Sequence, residues 1–143
     1  MRSKRIGEGA RRTFVLVFEP GEESIAGLQG FAREQRLAAG HFTAIGAFSG
    51  ATLGFFDRAK RTYEEIPVGE QVEVLSLAGN ISLKDGAPQV HAHVVVGKRD
   101  GTAHGGHLLA AQVWPTLEVI LSELPEHLQR VPDEETGLAL LRP

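Results

Sequence analysis

Residues 90–109 read VHAHVVVGKRDGTAHGGHLL, two strand-like runs on either side of a short turn. A three-residue hairpin loop favours a type I turn followed by a left-handed residue, usually glycine, and Arg99-Asp100-Gly101 fits that pattern. Lys98 then faces Thr102 across the turn. The two runs are therefore predicted to pair as an antiparallel β-hairpin.

The predicted turn also determines which histidines share a face of this hairpin. Counting back from the turn sets His93 directly opposite His107, with Cβ atoms about 4.5–5.5 Å apart. Because side chains two residues apart on a strand point to the same side, His91 joins them. His91, His93 and His107 are predicted to lie together on one face.

A fourth histidine of the stretch falls on the opposite face by the same count. His104 is placed opposite Val96. It lies three residues before His107, and an odd separation along a strand inverts the direction of the side chain. A bulge at Gly105 or Gly106 would change the count, and an error of one residue would exchange the roles of His104 and His107. The two glycines would also let a ligand or another backbone approach closely.

Three imidazoles on one face suit a transition metal. The chain has no cysteine, so a metal must be held by His, Asp or Glu. Zn²⁺ accepts about four ligands, so that His91, His93 and His107 would leave one position for water, a small-molecule ligand or a carboxylate. We predict a zinc site at these three residues. The alternative is that the histidines decorate a half-exposed strand or make hydrogen bonds at an interface.

The rest of the chain alternates between strand patterns and a single helix pattern. A helix is predicted to start near Glu22 and to stop at Gly40. Strands are predicted in six further segments: residues 13–18, two apolar runs within 42–57 separated at Ser49-Gly50, and residues 63–66, 72–77 and 79–83. Asp85-Gly86 is a turn signal, and residues 117–121 favour a strand. One helix among about seven or eight strands predicts an α+β fold with a mostly antiparallel sheet.

With 143 residues, the chain is the size of one domain. We expect a basic flexible arm over residues 1–12, the domain over residues 13–124 and a poorly structured C-terminal segment over residues 125–143. The arm carries Arg2, Lys4, Arg5, Arg11 and Arg12 against Glu8. No apolar run reaches the length of a membrane span and no secretory signal is present, which predicts a cytoplasmic protein without membrane contact.

Other residues give weaker signals. Glu73 and Glu118 are candidates for a general base or a metal ligand, although a solvated strand face explains them more simply. His41 and His127 are predicted at the surface, and Trp114 in the core or an interface. Ser49 lacks the glycine spacing of a nucleophile elbow, and no phosphate-binding loop occurs.

Several stretches together resemble the plant- and prokaryote-conserved (PPC) domain, over roughly residues 13–124. The stretches that carry the resemblance are IGAFSGATL at 45–53, VEVLSLAGNI at 72–81, HAH at 91–93, GGHLL at 105–109 with the preceding Gly101, and EVIL at 118–121 with the preceding Val113. The resemblance implies an α+β domain that assembles as a homotrimer. In prokaryotic members it further implies a divalent metal, taken as zinc, at residues matching His91, His93 and His107.

Two classes of function follow from the resemblance. Bacterial single-domain members are described as candidate DNA-binding proteins, and three basic N-terminal arms on one trimer could contact DNA together. This chain lacks the Arg-Gly-Arg-Pro core of an AT-hook. The fold and histidines are also similar to acetolactate decarboxylase, which suggests a small zinc-dependent enzyme, lyase-like or hydrolase-like, as the alternative. A third interpretation makes the metal a clamp between subunits.

Overall fold

The computed structural model describes residues 1–6 and 11–142. Within them the chain forms nine β-strands and one helix: β1 (Arg2–Ile6), β2 (Thr13–Phe18), α1 (Ser24–Glu34), β3 (Ala39–Asp57), β4 (Thr62–Val68), β5 (Val72–Lys84), β6 (Ala87–Gly97), β7 (Ala103–Glu123), β8 (Gln129–Pro132) and β9 (Ala139–Arg142). The strands join in one sheet, in which only the short β5–β8 contact is parallel among the described pairings. The predicted α+β class is confirmed.

Four strands of this sheet pair in a closed cycle. β3 pairs with β5 and β7, and β6 pairs with both β5 and β7. Buried side chains of these strands meet those of β2 and α1 in one core that includes Phe14, Phe42 and Phe48. The β6–β7 hairpin is thus held between β5 and β3, which gives its side chains a rigid support.

Helix α1 packs its apolar side against this core. Leu28, Phe31 and Ala32 are buried, as their helical spacing predicts. The Glu23 carboxylate caps the first turn by accepting from the Ile25 and Ala26 amides, and it also accepts from the Ala111 amide of β7 at 2.9 Å. The cap therefore fixes the helix to the sheet as well as starting it.

The helix ends earlier than the sequence predicts. Arg36 takes a left-handed conformation, with φ of 53°, and the Leu37 amide donates to the Ala32 carbonyl at 2.9 Å. This is the bonding of a Schellman motif, which usually has glycine at the left-handed position. The prediction that Gly40 stops the helix is wrong, since Gly40 lies in β3 between Ile81 and Glu123.

Strand β3 is longer than predicted because its two apolar runs are continuous. Ser49 and Gly50 lie within the strand, where the pairing with β7 shifts register on either side of Phe48. Such shifts bend a strand without ending it. The predicted break is therefore an irregularity inside one strand, while the Asp85-Gly86 turn is confirmed, with φ of 51° and 78°.

The two ends of the chain are more ordered than predicted. Residues 2–6, expected in a flexible arm, form β1 and pair with β2, and the rest of that arm includes residues 7–10, which lie outside the described residues. All five β1 residues are exposed, as suits a charged edge strand. The C-terminal segment forms the β8–β9 hairpin, which attaches to β5 through the Leu83 amide and the Leu128 carbonyl at 2.7 Å. No helix of the described part is long and apolar enough to cross a membrane.

Candidate metal centre

The turn between β6 and β7 has the predicted geometry. The Gly101 amide donates to the Lys98 carbonyl and the Lys98 amide to the Thr102 carbonyl, each at 2.9 Å. Gly101 has a left-handed φ of 82°. With this turn the register follows the predicted count, and His93 lies opposite His107.

The three histidines His91, His93 and His107 form a compact group, hereafter the three-histidine cluster. One ring nitrogen from each lies within 4.8 Å of the other two. The ring centroids are separated by 5.0–5.4 Å. His91 and His107 are half-buried, and His93 is exposed. The predicted convergence of these rings is therefore present in the structure.

Strand β6 is held in place near His91 by α1 and by β5. The Gln29 side chain of α1 donates to the Pro88 carbonyl and accepts from the Val90 amide. On β5, Gly79 faces the strand, where an added Cβ would come within 2.5 Å of the His91 carbonyl oxygen. The absence of a side chain at Gly79 lets β6 approach closely enough to bring His91 to the cluster.

His107 is positioned by β3 and β4. The Tyr63 ring of β4 stacks on the His107 ring with centroids 4.6 Å apart and planes 26° apart. Gly54 of β3 pairs with His107, and a Cβ at Gly54 would lie 2.8 Å from Tyr63 Cδ1. A Cβ at Gly106 would lie 2.8 Å from the Gly54 carbonyl oxygen. The absence of a side chain at Gly106 therefore lets the β3 backbone approach closely. The sequence predicted close approach here of either a ligand or another backbone.

A cleft of about 270 Å³ opens beside the three-histidine cluster. His91, His107 and Tyr63 line it together with Arg130 of β8. Arg130 Nη2 donates to His91 Nδ1 at 3.1 Å, and its remaining contacts are to Asn80, Ser82 and the Ala139 carbonyl. The cluster is thus open on one side to a cavity that the Arg130 guanidinium also lines.

Burial affects the charge of two of the three rings. Together with the nearby Arg130 guanidinium and the other two rings, it lowers the pKa of His91 to about 4. Burial also lowers the pKa of His107, with His93 and Arg130 adding to the effect. Both rings are therefore neutral at pH 7, which is the form of imidazole that binds a metal.

The donor set fits a divalent metal. The cluster offers three imidazole nitrogens, and no carboxylate of residues 1–6 and 11–142 joins them. His107 Nδ1 is buried without a hydrogen-bond partner, an arrangement that costs free energy unless something binds there. Neutral imidazoles suit Zn²⁺, Cu²⁺ or Ni²⁺ more than Mg²⁺ or Ca²⁺, which prefer oxygen ligands.

The other candidate residues lie outside the cluster. His104 pairs with Val96 and is exposed, as the register count predicts. His41 and His127 are also exposed, which confirms their surface prediction, and Glu73 and Glu118 are exposed on their strands. Trp114 keeps half of its surface accessible. Its assignment to the core is therefore wrong, and the interface alternative stays a prediction.

Two residues of the cleft carry no signal in the sequence. Tyr63 reads only as a strand residue, and Arg130 lies in a segment predicted to be poorly structured. Arg130 reaches His91 because the β8–β9 hairpin docks on β5, a contact between residues 39 positions apart. No local pattern encodes such a contact.

Comparison with known proteins identifies the family. The profile of the Plants and Prokaryotes Conserved (PCC) domain matches residues 5–125. A metal-containing protein of Archaeoglobus fulgidus is 39% identical, with a TM-score of 0.85 over 92% of this chain and 93% of that one. A plant- and prokaryote-conserved protein of Pyrococcus horikoshii is 34% identical, with a TM-score of 0.87 over 96% and 98%.

A protein of Bacteroides thetaiotaomicron described as a candidate DNA-binding protein is 27% identical, with a TM-score of 0.88 over 98% of this chain and 96% of that one. A curated relative, the bifunctional protein GlmU of a Synechococcus strain, is 34% identical over 139 residues, which are 95% of this chain and 21% of that protein. The chain thus spans about a fifth of the length of this relative. A Staphylococcus aureus protein similar to alpha-acetolactate decarboxylase, at 12% identity and a TM-score of 0.55, shares the fold alone, over 78% of this chain and 52% of that one.

Proposed function

This chain belongs to the Plants and Prokaryotes Conserved domain family, and from that membership we propose that it is a homotrimeric metal-binding protein whose three-histidine cluster holds a zinc ion. The observation that carries the proposal is the convergence of three imidazole nitrogens within 4.8 Å of one another. The metal-containing relative from Archaeoglobus fulgidus supports it. When bound at these three residues, zinc would supply a Lewis acid that polarises an oxygen atom of a ligand.

The residues of this chain would have different roles around the metal. His91, His93 and His107 would hold it, and Tyr63 keeps the His107 ring in one orientation by stacking on it. Gln29 and Gly79 keep β6 where His91 reaches the other two rings. The cleft leaves one side of the cluster accessible to a small molecule.

Alanine variants of two histidines on the same hairpin test this proposal. His93→Ala is expected to lower zinc affinity by about 100-fold or more, because one of three protein ligands is lost. His104→Ala serves as the matched control and is expected to stay within about twofold, since His104 lies outside the cluster. Competition with a chromophoric chelator measures both affinities. Equal losses in the two variants would contradict the assignment.

The candidate DNA-binding relative supports a regulatory role in which the N-terminal residues contact DNA. Lys4 and Arg11 are exposed, but Arg2 pairs with Glu19 and Arg12 with Glu123. DNA contact would therefore depend on three weakly charged N-terminal segments acting together on a trimer. Filter binding of duplex DNA tests this role, with retention expected at low salt and lost as salt rises. No retention at low salt would eliminate it.

A small zinc enzyme is the second candidate, and the cleft is the observation that favours it. The cleft joins His91 and His107 to two further ionisable groups, Tyr63 and Arg130, where a substrate could bind beside the metal. Hydrolysis of 4-nitrophenyl acetate by the zinc-loaded protein provides a first test. Wild type is expected to exceed His93→Ala in rate. Equal rates would count against the enzyme.

A further inference from the structure

Arg130 occupies an unusual position, because it is a cation beside a cluster suited to bind another cation. We propose that Arg130 recognises a small oxyanion in the cleft, so that the ligand class of this site is a short-chain carboxylate or a phosphate. The inference rests on the proposed function in placing the metal at the three-histidine cluster.

The guanidinium of Arg130 is fixed in place by neutral acceptors. Nε donates to Ser82 Oγ at 2.7 Å, Nη1 to the Ala139 carbonyl at 3.0 Å, and Nη2 to Asn80 Oδ1 at 2.9 Å. Ser82 is fully buried. A guanidinium already held in one orientation loses little entropy when it binds a ligand.

Arg130 has no counter-ion in the described part of the chain. The ion pairs formed there by the other basic residues do not include Arg130, although its side chain is half-buried. A partly desolvated cation gains free energy when an anion binds beside it, because that anion replaces lost water and neutralises the charge. The cleft is the place where such an anion would reach Arg130.

The contact between Arg130 and His91 cannot coexist with a metal on His91. A guanidinium only donates, so His91 Nδ1 must accept the hydrogen bond from Nη2. A neutral imidazole has a single acceptor nitrogen, which leaves Nε2 as an N–H that cannot bind a metal. If Nε2 bound the metal instead, Nδ1 would carry the proton and face the donor. With metal bound, therefore, one N–H of Arg130 loses its partner next to the cluster.

The surroundings of Arg130 indicate the size and chemistry of the ligand. A planar guanidinium matches the oxygens of carboxylates and phosphates. A volume of about 270 Å³ accommodates a small molecule. Leu138, Leu140 and Val90 add apolar surface to the lining. These side chains favour a carboxylate with a short apolar portion over free phosphate.

Calorimetric titration with sodium butyrate and with inorganic phosphate tests the inference on full-length protein, both metal-free and loaded with Co²⁺. Arg130→Gln is expected to weaken butyrate binding at least about tenfold. Arg130→Lys is expected to weaken it less, because the positive charge remains while the planar set of N–H donors is lost. Arg142→Gln, exposed on the same hairpin and outside the cleft, is the matched control and is expected to stay within about twofold. Tighter binding of phosphate than of butyrate would identify the ligand class as a phosphate rather than a carboxylate.

A second measurement separates a specific role from damage to the fold. Arg130→Gln is expected to bind Co²⁺ alone several-fold more tightly, since the variant removes a cation and a competing hydrogen bond from His91. Damage to the fold would weaken both metal and anion binding. The inference would be overturned if Arg130→Gln bound each anion with the same affinity as wild type, or if wild type bound neither butyrate nor phosphate. A change in duplex DNA binding by Arg130→Gln, without a change in the binding of either anion, would also overturn it.

The two proposals can fail separately. If wild type takes up no Co²⁺, the proposed metal site fails. The titrations of metal-free wild type and Arg130→Gln with butyrate and phosphate still decide the role of Arg130.

Discussion

His91 and His107 differ from exposed histidines in what surrounds their rings. Each is half-buried, and burial lowers the pKa of both residues, as do the Arg130 guanidinium and the His93 ring. His104 lies outside the cluster and is exposed. The chemistry of a histidine here depends on its side of the strand.

The lowered pKa of His91 predicts how the metal-free protein responds to acid. Between pH 6.5 and about 4 the unfolded chain takes up a proton at His91 while the folded chain does not. The free energy of unfolding should therefore fall as the pH drops through this range. We expect a fall of on the order of 2 kcal/mol from this residue, less than the full pKa shift corresponds to, because solvent screens the half-buried ring.

Urea unfolding at several pH values in this range, with a chelator present, measures that free energy. His91→Gln removes the titrating group and is expected to show a weaker pH dependence than wild type. Exposed His127→Gln is the control and should follow wild type. A pH dependence that is identical in wild type and His91→Gln would contradict the assignment.

At the scale of elements, the β6–β7 hairpin was predictable because its register depends on local chemistry. Arg99-Asp100-Gly101 forms the turn, and the alternation of side chains then places His93 opposite His107. The zinc itself stays a prediction. Helix α1 followed from its periodicity, although its end did not, because Arg36 takes the position that glycine usually fills.

The β8–β9 hairpin was not predictable for a physical reason. Its four-residue strands are too short to show a period, and its attachment to the sheet depends on Arg130 reaching Asn80 and Ser82 on β5. The strand formed by residues 2–6 likewise depends on pairing with β2, because its own side chains are all exposed. Contacts between distant residues decide both elements.

Gly54 tests the contact between β3, β4 and β7. An added methyl group at Gly54 would meet Tyr63 Cδ1 at 2.8 Å, so Gly54→Ala should push the Tyr63 ring away from His107. We expect a stability loss of about 1–2 kcal/mol and weaker metal binding. Urea unfolding and chelator competition measure the two effects.

Gly69→Ala is the matched control, because nothing lies within 4 Å of a Cβ at that position. It should leave metal affinity at the wild-type value. Unchanged stability and metal affinity in Gly54→Ala would show that the Tyr63 stack does not position His107.

At the scale of the whole molecule, the sheet leaves large apolar side chains exposed on neighbouring strands. Ile45, Leu75, Trp114 and Ile120 each keep between 46% and 61% of their surface accessible in the single chain. Exposed apolar surface of this kind favours burial against a partner. These side chains support the proposed homotrimer.

Ile45→Glu tests that assembly. If Ile45 is buried between subunits, a charge there should dissociate the trimer to chains of 15.4 kDa that remain folded. Val131→Glu, exposed on β8, is the control and should keep the wild-type mass. Light scattering after gel filtration measures the mass. A wild-type mass in Ile45→Glu would exclude this surface from the interface.

Native mass spectrometry of the protein purified without added metal reports the metal content and the number of chains in one experiment. The predicted result is a particle of three chains carrying one zinc ion per chain, with the zinc lost from His93→Ala and kept by His104→Ala. A particle whose bound metal is unaffected by His93→Ala, or one that takes up no divalent metal even when it is supplied, would contradict the three-histidine centre.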